Sequence, residues 1–254
     1  MLPEVYGAEK GSFAGIYTNR LSPIFNDTVV VTTQARCKTR ALAFNIKPNM
    51  SDCKPTDLIA GADLEDSWTV IGSGKGQVIL ARHSLDGEIE LRHRILSEQS
   101  GLTFLHLPSP FNNLLTSKVI QYPNRPTLES VLMLPSTTVP TLFRNNQSHK
   151  PPVLIYPHGG PHVAHSTHYD PYCAALLELG VAILLVNYTG STGYGQGSID
   201  SLVGHVGDID VADVQLARDD LVERAVVDND RIGLFGGSHG RTQISCHGLL
   251  GKVT

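Results

Sequence analysis

Ile232-Gly-Leu-Phe-Gly-Gly-Ser-His-Gly240 carries apolar residues straight into a Gly-x-Ser-x-Gly sequence. That order is the signature of a nucleophile elbow, a sharp turn between a strand and a helix that exposes a serine oxygen at the carboxyl end of a sheet. Such a turn is strained and closely packed, and Gly236 and Gly240 are expected to supply the freedom it needs. Ser238 is the candidate nucleophile, and the N-terminus of the helix after it should favour developing negative charge. A serine alcohol reacts only when a base takes its proton, so a histidine must pair with it. The plainer alternative is a Gly-rich turn that binds an anion.

Upstream, the period is that of alternating strands and helices. Val153-Leu-Ile-Tyr156 reads as a buried strand and runs into Pro157-His-Gly-Gly-Pro-His162. Gly160 there, and His239 beside the serine, are the expected oxyanion donors through their backbone N–H groups. Asp170-Pro171 is a helix cap with proline at the first position, Tyr169, Cys173, Leu176 and Leu177 share a face, and Gly180 ends the helix. Val181–Val186 is a continuous apolar run of the kind found inside parallel sheets. Asp208 opens a second helix with Val211, Val214, Leu221, Val222 and Ala225 as its apolar stripe. Strand, helix, strand, helix, strand and serine turn predict an α/β fold with a parallel sheet and flanking helices.

Two other stretches invite chemistry. Tyr188-Thr-Gly-Ser-Thr-Gly-Tyr-Gly195 is a Gly-rich loop without the Lys-Ser/Thr ending of a phosphate loop, so it reads as lining the site's mouth, with His158 and Tyr194 as mouth residues. His158, His162, His165 and His168 have helical spacing, but Gly159-Gly-Pro161 would break a helix there and only Asp170 is an acidic neighbour. Pocket-lining histidines are the expectation; no metal and no cofactor are assigned.

The first half is different. Thr28–Thr33, Arg40–Ile46, Asp57–Ala60, Trp68–Ile71 and Gln77–Ala81 are rich in β-formers and separated by turns such as Gly72-Ser-Gly-Lys-Gly76 and Leu85-Asp-Gly87. Antiparallel, β-propeller-like strands are expected, with Trp68 in their core. Prolines interrupt 108–152, and a further strand is expected at Leu128–Leu134. This divides the chain into 1–114 and 115–254. A formal net charge of -4 argues against a nucleic-acid surface. No apolar run has the length of a membrane span and no signal-peptide pattern opens the chain, so no membrane partner is expected. Four widely spaced cysteines fit a reducing compartment, and a cytoplasmic location is expected.

Together, Pro157–His162, Leu184–Tyr188 with Gly190–Gln196, Gly236–Gly240 and Ile244–His247 resemble the prolyl oligopeptidase family of serine peptidases, and within it the acylaminoacyl-peptidase branch. The resemblance is firmest over 128–240. It implies a seven-bladed propeller followed by an α/β-hydrolase domain, and release of an N-acylated amino acid from short blocked peptides. By it, Ser238 is the nucleophile, Gly160 and His239 are the oxyanion donors, and a homo-oligomer is the family-like assembly. The family also carries an aspartate and a histidine well downstream of the serine, whereas this chain stops at Thr254. Arg241 stands where the family has a second glycine, and Thr189 where it usually has arginine. The expectation is a partial chain, holding the last propeller blades and a hydrolase domain truncated after the elbow, and inactive alone. The alternative is a non-catalytic partner of a full-length relative.

Overall fold

The computed structural model describes residues 26–46, 55–59, 66–97, 101–109, 115–136 and 150–240, together with the backbone of 5–6 and 9–10. The chain forms two compact units. The first comprises Met1–Pro110 with Ser166–Tyr169 and Gly193–Gln196, and the second comprises Phe111–His165, Asp170–Thr192 and Gly197–Thr254.

The first unit is antiparallel throughout its described strands. β1 (Val5–Tyr6) pairs with β2 (Glu9–Lys10). β3 (Thr28–Ala35), β4 (Lys38–Asn45) and β5 (Pro55–Asp57) form one sheet in chain order. β6 (Ser67–Gly74), β7 (Gln77–His83), β8 (Ile89–Ile95) and β9 (Gly101–Leu107) form a four-stranded meander. Val30, Ala41, Ala43, Leu58, Trp68, Val78 and Leu80 make one buried cluster, and the Arg92 guanidinium lies 4.6 Å from the Trp68 ring centroid.

Two expectations need correction in this unit. The turn after β6 is only Lys75-Gly76, both at positive φ as a tight hairpin requires, because β6 continues to Gly74. A register shift between Val70 and Gly72 absorbs Ile71, which leaves that side chain exposed. The strand expected at Asp57–Ala60 is instead β5, displaced towards the N-terminus, while Leu58 and Ile59 enter the core beyond its end.

The second unit is a mixed five-stranded sheet with helices. β10 (Leu115–Gln121), β11 (Glu129–Pro135), β12 (Val153–Pro157), α1 (Pro171–Glu178), β13 (Ala182–Asn187), α2 (Gln196–Leu202), α3 (Ile209–Glu223) and β14 (Ile232–Leu234) follow in order. The sheet order is β10-β11-β13-β12-β14. Only β13, β12 and β14 are mutually parallel; β11 runs antiparallel to β13 and to β10, which corrects the expected parallel sheet. The helical crossovers between β12, β13 and β14 return the chain to the same sheet end, whereas the short turn at 122–128 reverses it.

Local chemistry explains α1. The Asp170 carboxylate accepts the N–H groups of Tyr172 and Cys173, and Pro171 needs no donor there. At the other end Gly180, at φ 81°, sends its N–H to Leu177 while Val181 reaches Leu176, a closing pattern that favours glycine. Tyr169 lies outside the helix. All six residues of β13 are buried; Ala182, Leu184 and Val186 join the cluster that α3 covers with Val211, Val214, Ala217 and Leu221, while Ile183 and Leu185 point to the other face. The expected stripe on α3 ends early: Val222 is half-buried and Ala225 is exposed beyond the helix, at φ 53°. No helix among the described residues is long and apolar enough to cross a membrane.

Leu184, fully buried at the centre of the sheet, is the most direct probe of this core. Leu184→Ala should lower the unfolding free energy of the second unit by about 2–5 kcal/mol, read as a fall in urea midpoint at unchanged slope. A midpoint within error of the parent would contradict this packing.

Candidate active site

The elbow grows out of β14. Its strand bonds run parallel to β12, and the Phe235 N–H still reaches the Ile155 carbonyl at 2.9 Å before the chain turns. Ser238 then adopts φ 54°, in the left-handed region, and its side chain is exposed. For a residue with a Cβ that conformation costs about 1–3 kcal/mol and persists where surroundings impose it. The strain falls on the serine itself, which corrects the expectation for Gly236 and Gly240, neither of which has positive φ. Gly240 serves another purpose. A Cβ there would sit 2.6 Å from the Pro157 carbonyl oxygen and 3.2 Å from that of His158, so only glycine lets the chain at 240 pass against the end of β12. Gly237, by contrast, has open space around it.

The same close approach brings the turn after β12 to the serine. A Cβ on Gly159 would lie 3.4 Å from Ser238 Cβ and 3.2 Å from the Gly237 carbonyl oxygen. Gly160 follows at φ 120°, where a side chain would meet the His162 nitrogen at 2.8 Å. Among the described residues, neither the Gly160 N–H nor the His239 N–H donates a hydrogen bond, and Ser238 Oγ has no hydrogen-bond partner. Two uncommitted amides beside an exposed serine are the arrangement that can stabilise an oxyanion.

The histidines are occupied elsewhere. His158 is 4% exposed, with Nδ1 2.7 Å from the Gly159 carbonyl and Nε2 2.7 Å from Ser191 Oγ. A carbonyl only accepts, so Nδ1 donates to Gly159, while the Ser191 hydroxyl gives its proton to the Tyr188 carbonyl at 2.6 Å. Burial, reinforced by the charges of His165 and His239, pushes this imidazole down to about 3. His162 Nδ1 meets the Gly190 carbonyl, and His165 Nε2 meets that of Tyr156. In the first unit, His168 stacks on His83 and bonds Thr39. Among the described residues no group of three or more His, Cys, Asp or Glu is arranged to hold a metal ion. Tyr194 is 7% exposed and belongs to the first unit, beneath the Arg36 guanidinium.

His239 turns its ring away from the serine. Its Nε2 donates to Asp210 Oδ2 at 2.7 Å, and the ring stacks against Tyr188 at 5.7 Å between centroids. Tyr188 also stacks on His158 and donates its hydroxyl to the His158 carbonyl at 3.0 Å. Asp210 and Asp213 are both fully buried on α3. Asp213 Oδ2 accepts the Thr189 N–H, while its Oδ1 lacks a hydrogen bond and has the Arg125 guanidinium at 3.7 Å. Burial raises this carboxyl against the opposing pull of Thr189 and Arg125. These acids and Tyr188 were missed from sequence. The available signal was two aspartates spaced i, i+3 within the apolar face of α3. Arg241 and Ile244–His247 lie outside the described residues.

Residues 167–245 match the model of the prolyl oligopeptidase family. The human acylamino-acid-releasing enzyme is 48% identical over 101 residues, which are 40% of this chain and 14% of that protein. The mouse enzyme is 40% identical over 152 residues, 60% of this chain and 19% of that protein. The chain thus spans less than a fifth of the length of these relatives. Among solved structures, Pyrococcus horikoshii acylaminoacyl peptidase superposes with a TM-score of 0.69 at 15% identity, covering 88% of this chain and 34% of that one. A Mycobacterium tuberculosis puromycin-hydrolyzing peptidase gives 0.64 at 21% identity, covering 89% and 34%. These likenesses extend the shared fold well beyond the matched segment.

The buried His158 ring has a consequence for stability. The unfolded chain protonates it below about pH 6.5, whereas the folded state resists until about 3, so folding loses stability as pH falls through that window. Asp213 acts oppositely, since a raised carboxyl contributes stability at low pH that is lost as pH rises through its folded value. His158→Asn should therefore lose less stability than the parent between about pH 7 and about pH 4.5, compared by urea midpoints at each pH. Equal losses in the two proteins would contradict the neutral, buried ring. Over residues 167–245 the chain is thus similar in sequence to the prolyl oligopeptidase family.

Proposed function

We propose that this chain carries the nucleophile half of a serine peptidase site that releases an N-acylated amino acid from short blocked peptides. In this reading, 115–254 is the N-terminal part of an α/β-hydrolase domain and 1–114 holds propeller-like blades, as the shared fold suggests. The observation that carries the proposal is Ser238, exposed and left-handed, with two undonated amides in its turn and in the turn facing it.

Ser238 Oγ attacks the scissile carbonyl, and a base takes its proton. The carbonyl oxygen gains charge and is received by the N–H groups of Gly160 and His239, each donor contributing about 3–4 kcal/mol in comparable sites. Collapse breaks the C–N bond, the amine leaves with the proton, and water then cleaves the acyl-serine ester. His158 and His239 have their rings engaged with Ser191 and Asp210, so the base comes from outside the described residues.

The unpartnered Ser238 Oγ also favours a second reading, in which the chain is a non-catalytic partner of a longer relative. Incubation with an N-acetylated tripeptide, followed by chromatography for the N-acetyl amino acid, separates the two. Release that disappears in Ser238→Ala supports the peptidase. Release that survives in that variant contradicts it. No release, with the chain bound stoichiometrically to a longer family member in native mass spectrometry, supports the second reading.

A further inference from the structure

The contact between Asp210 and His239 joins residues far apart in sequence, and the mechanism above uses neither side chain. Asp210 stands in the first turn of α3 with no exposed surface. A carboxylate in such a place needs donors for both oxygens. Its Oδ1 accepts the Gly207 N–H at 2.7 Å, and its Oδ2 accepts His239 Nε2–H at 2.7 Å. One donor is a turn amide at the start of its own helix. The other is the ring of the residue that follows the candidate nucleophile.

The ring is confined on more than one side. The His239 side chain is 10% exposed and lies against Tyr188 with an interplanar angle of 29°. Side chain and backbone share one Cα, so holding the ring at its far nitrogen restricts rotation of the adjoining peptide. That peptide contains the His239 N–H and adjoins Ser238, whose left-handed conformation needs external support. A ring tied to Asp210 is also kept from folding back onto Ser238 Oγ, which leaves that oxygen accessible.

We propose that Asp210 is a positioning residue for the elbow: through His239 Nε2 it fixes the direction of the His239 N–H and withholds the imidazole from Ser238. The functional part rests on reading Ser238 as nucleophile and that N–H as an oxyanion donor; the geometric part does not. A salt bridge that merely stabilised the fold would lower the unfolding midpoint without altering the chemistry at the turn.

The test uses the whole chain, labelled with 15N, as parent, Asp210→Asn and Asp210→Ala. The asparagine is nearly isosteric and keeps one acceptor, so it serves if the alanine variant fails to fold. Long-range 1H–15N spectra should place the His239 proton on Nε2 in the parent. In Asp210→Ala that tautomer preference is lost and the His239 amide signal moves, while amides of the α3 core such as Ala217 stay in place. The rate at which a fluorophosphonate modifies Ser238 should fall about tenfold, with Asp210→Asn intermediate. A parent proton on Nδ1, or unchanged ring and amide signals in folded variants, would overturn the proposal. A changed ring and amide with an unchanged modification rate would overturn its functional part. A parent that never reacts, with the spectral changes present, would remove the nucleophile reading and leave the clamp standing.

Discussion

Everything around the elbow depends on one close approach. The Pro157 carbonyl oxygen occupies the place where a side chain at position 240 would begin, 2.6 Å from an ideal Cβ. That contact lets the chain just after Ser238 pass against the end of β12. It is also what brings the Gly159-Gly160 turn beside the serine. The parallel pairing of β12 with β14 supplies the alignment, because both strands end at the same edge of the sheet. Remove the glycine and the two halves of the site must separate, whatever the chemistry of Ser238.

The second constraint is electrical. α3 buries two carboxylates against an otherwise apolar face, and each is resolved differently. Asp210 is fully paired, through Gly207 and His239. Asp213 keeps one oxygen without a hydrogen bond, and its raised carboxyl reports the cost. In place of the long cation that the family resemblance would put at 189, this chain has Thr189, whose backbone N–H meets Asp213, while Arg125 approaches from another strand connection. The buried histidines respond to the same dry surroundings. His158 is held neutral by burial, with its ring fixed between the Gly159 carbonyl and the Ser191 hydroxyl oxygen.

Much of the second unit was legible in sequence because its signals are local. Asp170-Pro171 and Gly180 bracket α1 with groups whose hydrogen bonds can be named from residue type alone. The apolar run of β13 and the Gly-x-Ser-x-Gly turn are equally self-contained. Strand direction is not: β11 looks like any apolar strand, and only its pairing in the sheet shows that it runs against β13. α2 escaped notice because Gly197 and two serines, Ser198 and Ser201, lie within it. It is held instead by buried Leu202 and by Ser198, which receives the Gly190 N–H. The roles of His239 and Tyr188 were hidden for a similar reason. Composition gives a ring, and only the fold shows that Asp210 is its partner.

The central claim is that Ser238, Gly160 and His239 form one acyl-transfer site. Its most direct measurement is a crystal structure of the chain after reaction with a fluorophosphonate. The account predicts phosphorus bonded to Ser238 Oγ, with the phosphoryl oxygen about 2.7–3.1 Å from both amide nitrogens. An adduct on another residue, or a phosphoryl oxygen turned to solvent away from both amides, would contradict it.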